Sequence, residues 1–169
     1  MKKDKFITVM AILDNKTQEL MQRIQTDLEH QYGVDTKTKD IPFHITLGSY
    51  AVEDTTKIVG RIMDIAIQTS SFDIEFEGLN HFNNLVRFME PKISDELLHL
   101  HSCFNSDYAN GYDNWISHAT VYRHSEPMEI KLSDQIAAKI DLLKYAKIVG
   151  IELGEFFPAK KIIRVLFKE

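Results

Sequence analysis

Two periodicities run along the chain, and the change from one to the other marks out its elements. Phe6–Leu13 is an apolar, β-branched run of strand length. Helical spacing follows: Leu20, Ile24 and Leu28 share a face with Met21 beside them. Asn15 and Gln18 stand in capping-box relation at the start, and Gly33 supplies the stop. Polar Asp35–Asp40 reads as a loop. Pro42 then leads into a strand from Phe43 to Tyr50, at a position where a missing N–H does no harm. Asp54 caps a second helix with a stripe of Ile58, Ile62 and Ile65, and residues 72–77 alternate apolar and charged, as in a strand with one wet face.

The pattern then starts again. Residues 85–89 form a short strand, and Ser94 caps a helix bearing Leu97, Leu98, His101 and Phe104. Asn110-Gly111 signals a turn, Trp115–Arg123 is a strand, and Ser133 caps a helix with Ile136, Ile140 and Leu143. Ile148–Phe156 and Lys161–Phe167 are closing strands joined across Pro158. Strand, helix, strand, helix, strand therefore occurs twice, with one strand added. The simplest account is duplication of a unit of about 75 residues, with approximate repeats 5–80 and 84–168 in a single bilobal domain, 1–169. The expected class is α+β: two pseudo-symmetric lobes, each an antiparallel-type sheet with two helices, enclosing a central cleft.

Composition narrows the function classes. Hydrophobic residues make up 44% and charged residues 27%, ordinary for a globular protein. No apolar run is long enough to span a bilayer, and no cleavage site follows the first strand, so no membrane association and a cytoplasmic location are expected. The single cysteine, Cys103, excludes an internal disulfide and a cysteine-based zinc site. A net charge of −5 argues against coating DNA or RNA by bulk electrostatics, while leaving room for a local nucleotide site.

The candidate chemistry lies in the third element of each round. Residues two apart on a strand project to one face, so His44 pairs with Thr46 and His118 with Thr120. An imidazole moves protons and a hydroxyl binds an oxygen, which together suit a phosphate. Either histidine alone reads as an ordinary half-buried strand residue. Two copies, 74 residues apart at matched places in a duplicated fold, read as two halves of one site. Tyr122 and Tyr50 share the parity of their histidines and are candidate substrate-binding groups. Trp115, with Tyr112, is a candidate for stacking on a base at the cleft rim. Arg123 has the wrong parity, and only a bulge or a strand end would turn it inward. His99 and His101 lie too far apart around their helix to hold one ion together.

At these residues the chain resembles the 2H phosphoesterases, the group that includes LigT-like RNA 2′,3′-cyclic phosphodiesterases, also called 2′-5′ RNA ligases. His44-Ile45-Thr46-Leu47 and His118-Ala119-Thr120-Val121 match the family's paired motif, and Arg123 stands five residues after the second histidine, where LigT-like members often carry an arginine. After the first motif, where such proteins tend to have Lys-Phe, this chain has Gly48-Ser49-Tyr50. The resemblance implies a metal-independent phosphodiesterase without cofactor. It would open 2′,3′-cyclic phosphates or a related RNA or nucleotide phosphodiester, with possible reverse ligation. His44, Thr46, His118 and Thr120 would be catalytic, Tyr122, Arg123, Tyr50 and Trp115 substrate-binding, and no residue a metal ligand. The implied partner is a nucleotide or RNA terminus bearing a cyclic phosphate, met by a monomer. The competing reading is a non-catalytic nucleotide or RNA-end binding module on the same fold.

Overall fold

The computed structural model describes residues 5–34, 41–104, 115–124, 126–127 and 129–169. The 35–40 loop, the Asn110-Gly111 turn and Tyr112 lie outside these residues. Among the described residues the chain forms seven strands and four α-helices. They are β1 (Phe6–Leu13), α1 (Asn15–Tyr32), β2 (His44–Ala51), α2 (Thr55–Gln68), β3 (Phe72–Phe82), β4 (Val86–Pro91), α3 (Asp95–Ser102), β5 (Ala119–Arg123), α4 (Asp134–Asp141), β6 (Tyr145–Phe156) and β7 (Lys160–Leu166). Among the described residues no helix is long and apolar enough to cross a membrane.

Among the described residues every pairing between these strands is antiparallel, in the order β2-β1-β6-β3-β4-β5, with β7 also on β6. Exchanging β1 with β4, β2 with β5 and β3 with β6 reverses that order onto itself. The chain is therefore two-fold symmetric in topology, and each half gives its third strand to the other. One lobe is β2, β1, β6 and β7, and the other is β3, β4 and β5. The lobes are stitched where Phe72–Glu75 pairs with Tyr145–Ile148.

Burial follows the patterns that define the elements. On β1 the core-facing set is Ile7, Val9, Ala11 and Leu13, which packs with Met21, Ile24 and Leu28 of α1. Burying each such aliphatic side chain contributes about 1.5–3 kcal/mol before chain entropy is subtracted, so the helix is held by packing and not by propensity. Gly33 ends α1 in the left-handed conformation at φ 62°, its N–H donating to the Glu29 carbonyl.

The start of α1 differs from the capping box read in the sequence. The cap is Asp14, whose carboxylate accepts from the Thr17 N–H at 3.0 Å and the Thr17 hydroxyl at 2.9 Å. These bonds hold the Asp14 carboxyl below its ordinary value against the opposing effect of burial. Gln18 is thereby released for a longer reach. Its side chain donates to the Phe43 carbonyl at 2.7 Å and accepts from the Phe43 N–H at 2.7 Å, locking the residue before His44. On α3 the buried positions are Leu97 and Leu100, and Leu98 is 51% exposed. The strand read as 115–123 is regular only from Ala119.

Candidate active site

Both His-Thr segments carry the same irregularity at the same place. On β2, Met10 stands opposite Thr46 and Val9 opposite Gly48, so Leu47 is an inserted residue. On β5, Phe88 stands opposite Thr120 and Arg87 opposite Tyr122, so Val121 is inserted. Each is a β-bulge directly after the motif threonine, and each reverses the facing of everything downstream.

That reversal decides which of the expected site residues share a face. His44 and Thr46 lie together on β2, and His118 and Thr120 on the face that carries Phe88. The His118 ring packs edge-to-face with Phe82 and Phe88, with centroids 5.0 and 5.3 Å away. Past the bulge, Arg123 stands opposite Val86, two residues from Phe88 on β4, and so returns to the His118 face as an exposed side chain. The irregularity that its parity required is present.

The tyrosines go the other way. Tyr122 is 2% exposed, on the opposite face in the core, and hydrogen-bonded to Arg87; burial pushes its phenol up. Tyr50, opposite Ile7, is 7% exposed and donates to the Phe104 carbonyl at 2.6 Å. Neither presents its ring to the cleft, which corrects the sequence reading of both. Trp115 is half-buried: His101 stacks on its ring at 3.7 Å with planes 7° apart, and its Nε1–H donates to the Thr46 carbonyl at 3.0 Å. It braces the site where a stacking platform for a base was expected.

The two imidazoles are oriented by matching bonds. His44 Nδ1 lies 2.6 Å from the Pro42 carbonyl and His118 Nδ1 lies 2.8 Å from the Ile116 carbonyl, the acceptor being two residues back in each case. A carbonyl only accepts, so each Nδ1 carries the proton and each Nε2 is left for chemistry. Burial, with a smaller contribution from the charge of His118, pushes the pKa of His44 down to about 4 against the opposing bond to Pro42. His44 is therefore neutral near pH 7, with a lone pair on Nε2, and it feels the charge of His118 across the gap between the strands.

Several contributors were invisible in the sequence pattern. Phe82 and Phe88 wall His118, and no spacing rule links residue 82 or 88 to 118. Ser49 occupies on β2 the place of Arg123 on β5 and is joined to Thr8 at 3.1 Å between hydroxyl oxygens. Gly48 is required by close approach: a Cβ there would stand 2.5 Å from the Phe104 carbonyl oxygen. A cavity of about 580 Å³ opens beside Pro42 and Phe43 and reaches Gln22, Lys161 and the Glu152–Arg164 ion pair. Neither it nor a larger one of about 840 Å³, by Asp14, Asp73 and Tyr145, is lined by any of the four motif residues. Among the described residues no group of three His, Cys, Asp or Glu side chains is gathered to hold a metal ion.

Comparison with known proteins agrees with this geometry. Residues 13–148 match the model of the 2′-5′ RNA ligase superfamily. Among solved structures, Escherichia coli LigT complexed with NADP+ superposes with a TM-score of 0.66 at 13% identity, covering 99% of this chain and 100% of that one. The Thermus thermophilus protein TT0787 does so with a TM-score of 0.66 at 13% identity, covering 96% and 98%. E. coli LigT complexed with 3′-AMP gives 0.62 at 12%, covering 99% and 100%. No curated protein matches. The antiparallel α+β architecture is thus the LigT fold, and phosphoester chemistry is what membership supports at the level of the superfamily. The chain belongs to the 2′-5′ RNA ligase superfamily of 2H phosphoesterases.

Proposed function

We propose that the protein is a metal-independent phosphodiesterase that opens 2′,3′-cyclic phosphates, or a closely related nucleotide or RNA phosphodiester, by acid–base catalysis between two histidines. The observation that carries this reading is the matched pair of imidazoles. Each has Nδ1 tied to the carbonyl two residues back and a threonine two residues on. Burial holds one of them neutral.

The roles follow from that asymmetry. His44 Nε2 takes a proton from water as the water oxygen bonds to phosphorus. The bond from phosphorus to one ribose oxygen breaks, and protonated His118 gives that oxygen its proton from Nε2. A phosphomonoester and a free hydroxyl result, with protons conserved. Thr46 and Thr120 donate to the non-bridging oxygens, where negative charge grows, and Arg123 adds a cation on the same face. A positioned acid or base of this kind typically supplies about 10²–10⁴-fold in rate. With a 5′-hydroxyl in place of water, the same two proton transfers in the same direction join the two ends as a phosphodiester, which is ligation. The solved structures of E. coli LigT with phosphate and with 3′-AMP show that a protein of this fold takes phosphate-bearing ligands, which supports the choice of substrate class.

The test is hydrolysis of 2′,3′-cyclic nucleotides with and without EDTA, in the parent and in His44→Ala and His118→Ala. Turnover that persists in EDTA and is lost in both variants supports the proposal. Binding without turnover makes the protein a recognition module, and loss in EDTA transfers the chemistry to a metal.

A further inference from the structure

One reacting histidine opens β2 and the other immediately precedes β5, yet these strands stand at opposite ends of the strand order and share no ladder. They nevertheless run close to one another. Something other than sheet hydrogen bonding must set the gap across which the two Nε2 atoms meet.

The two bulges show what does. An inserted residue leaves its carbonyl outside the ladder, and a carbonyl in that position needs a donor from elsewhere. For Val121 on β5 the donor is Gln25 of α1, whose Nε2–H reaches the carbonyl at 3.1 Å. For Leu47 on β2 the donor is His101 of α3, whose Nδ1–H reaches the carbonyl at 3.0 Å. In the chain α1 connects β1 to β2, and α3 connects β4 to β5. Each helix therefore reaches across to the bulge of the opposite lobe.

We propose that Gln25 and His101 are positioning residues that clamp the two His-Thr strands at their working separation. The clamp has a second layer on one side. His101 lies flat on Trp115, and the Trp115 indole donates to the carbonyl of Thr46, one residue before the bulge. Burial holds the His101 pKa below its usual value, which keeps the ring neutral near pH 7, and the Leu47 carbonyl keeps the proton on Nδ1. The β2 motif is thus gripped at two successive carbonyls from the lobe that supplies His118.

This inference rests on the proposed chemistry for its kinetic consequence but not for its structural one, so two readouts separate them. Gln25→Met keeps side-chain length and removes the donor, and His101→Phe keeps the stack on Trp115 and removes the donor. His101→Gln restores one. Loosening the clamp draws the charge of His118 away from His44 and admits water to it, so the NMR titration midpoint of His44 should rise by about one pH unit or more from its value of about 4. In the same variants kcat on a 2′,3′-cyclic nucleotide should fall about tenfold or more with KM held within about twofold. His101→Gln should return both readouts toward the parent. Should one variant fail to fold, the other, on the opposite strand, carries the same test. Folded variants in which the His44 midpoint stays put overturn the clamp. A shifted midpoint in a parent that turns over no cyclic phosphate leaves the clamp standing and removes the assigned reaction.

Discussion

The two motif strands share a backbone and differ in what surrounds them. Each motif begins with a histidine tied to the carbonyl two residues back, and each strand places a bulge after the threonine. On β2 the continuation is Gly48, Ser49 and Tyr50, committed to interior contacts with Phe104 and Thr8. On β5 the continuation puts an exposed arginine on the site face, and the histidine packs edge-to-face with two phenylalanines. Duplication accounts for the matched geometry, and divergence of the flanks accounts for unequal roles. The imidazole that burial holds neutral is suited to be the base, which leaves its counterpart on the other motif to be the acid.

The largest expected effect breaks this comparison outright. His44→Ala and His118→Ala should each lower kcat on a 2′,3′-cyclic nucleotide by about 10²–10⁴-fold. A phosphodiester with a nitrophenolate leaving group needs no proton on departure. Measured with that ester, His118→Ala should recover most of its rate and His44→Ala should not. Equal recovery in both would show that the roles are not divided as assigned.

Next come the threonines. Thr46→Val and Thr120→Val remove one oxyanion donor each and should cost about 10–10³-fold in kcat with KM little changed, read from steady-state kinetics. A smaller effect tests the packing side of the difference. Gly48→Ala forces a methyl against the Phe104 carbonyl and should destabilise by about 1–3 kcal/mol in denaturant unfolding. Tyr50→Phe leaves that same carbonyl without its donor and should cost about 1–2 kcal/mol, with kcat close to the parent value.

How much of this was legible in the sequence turns on the bulges. Alternation placed His44 with Thr46 and His118 with Thr120, because those pairs precede the inserted residues. Beyond Leu47 and Val121 the same rule inverts, which is why Tyr50 and Tyr122 read as cleft residues and lie in the core, and why Arg123, of the wrong parity for a regular strand, falls in register with the His118 face. Leu47 and Val121 are ordinary aliphatic strand residues, and nothing in their identity announces an insertion. The exchange of third strands between the halves is equally silent, since residues 72–77 and 148–156 have the same pattern whichever lobe receives them. Gln18 and Asp14 show a different limit. Asp14 and not Asn15 takes the cap, and Gln18, read as the capping-box partner, bonds instead to Phe43, a residue 25 positions away that no local rule can supply.

A neutral His44 acting as base is the step on which the proposed chemistry depends most, and the profile of kcat/KM against pH in the presence of EDTA tests it directly. A base must be unprotonated, so activity falls about tenfold per unit once pH drops below its pKa. With His44 at about 4 in place of the usual 6.5, hydrolysis of a 2′,3′-cyclic nucleotide should not fall between neutrality and about pH 5, and should then decline with a midpoint near 4. An acid limb centred near 6.5, or a profile abolished by the chelator, would contradict it.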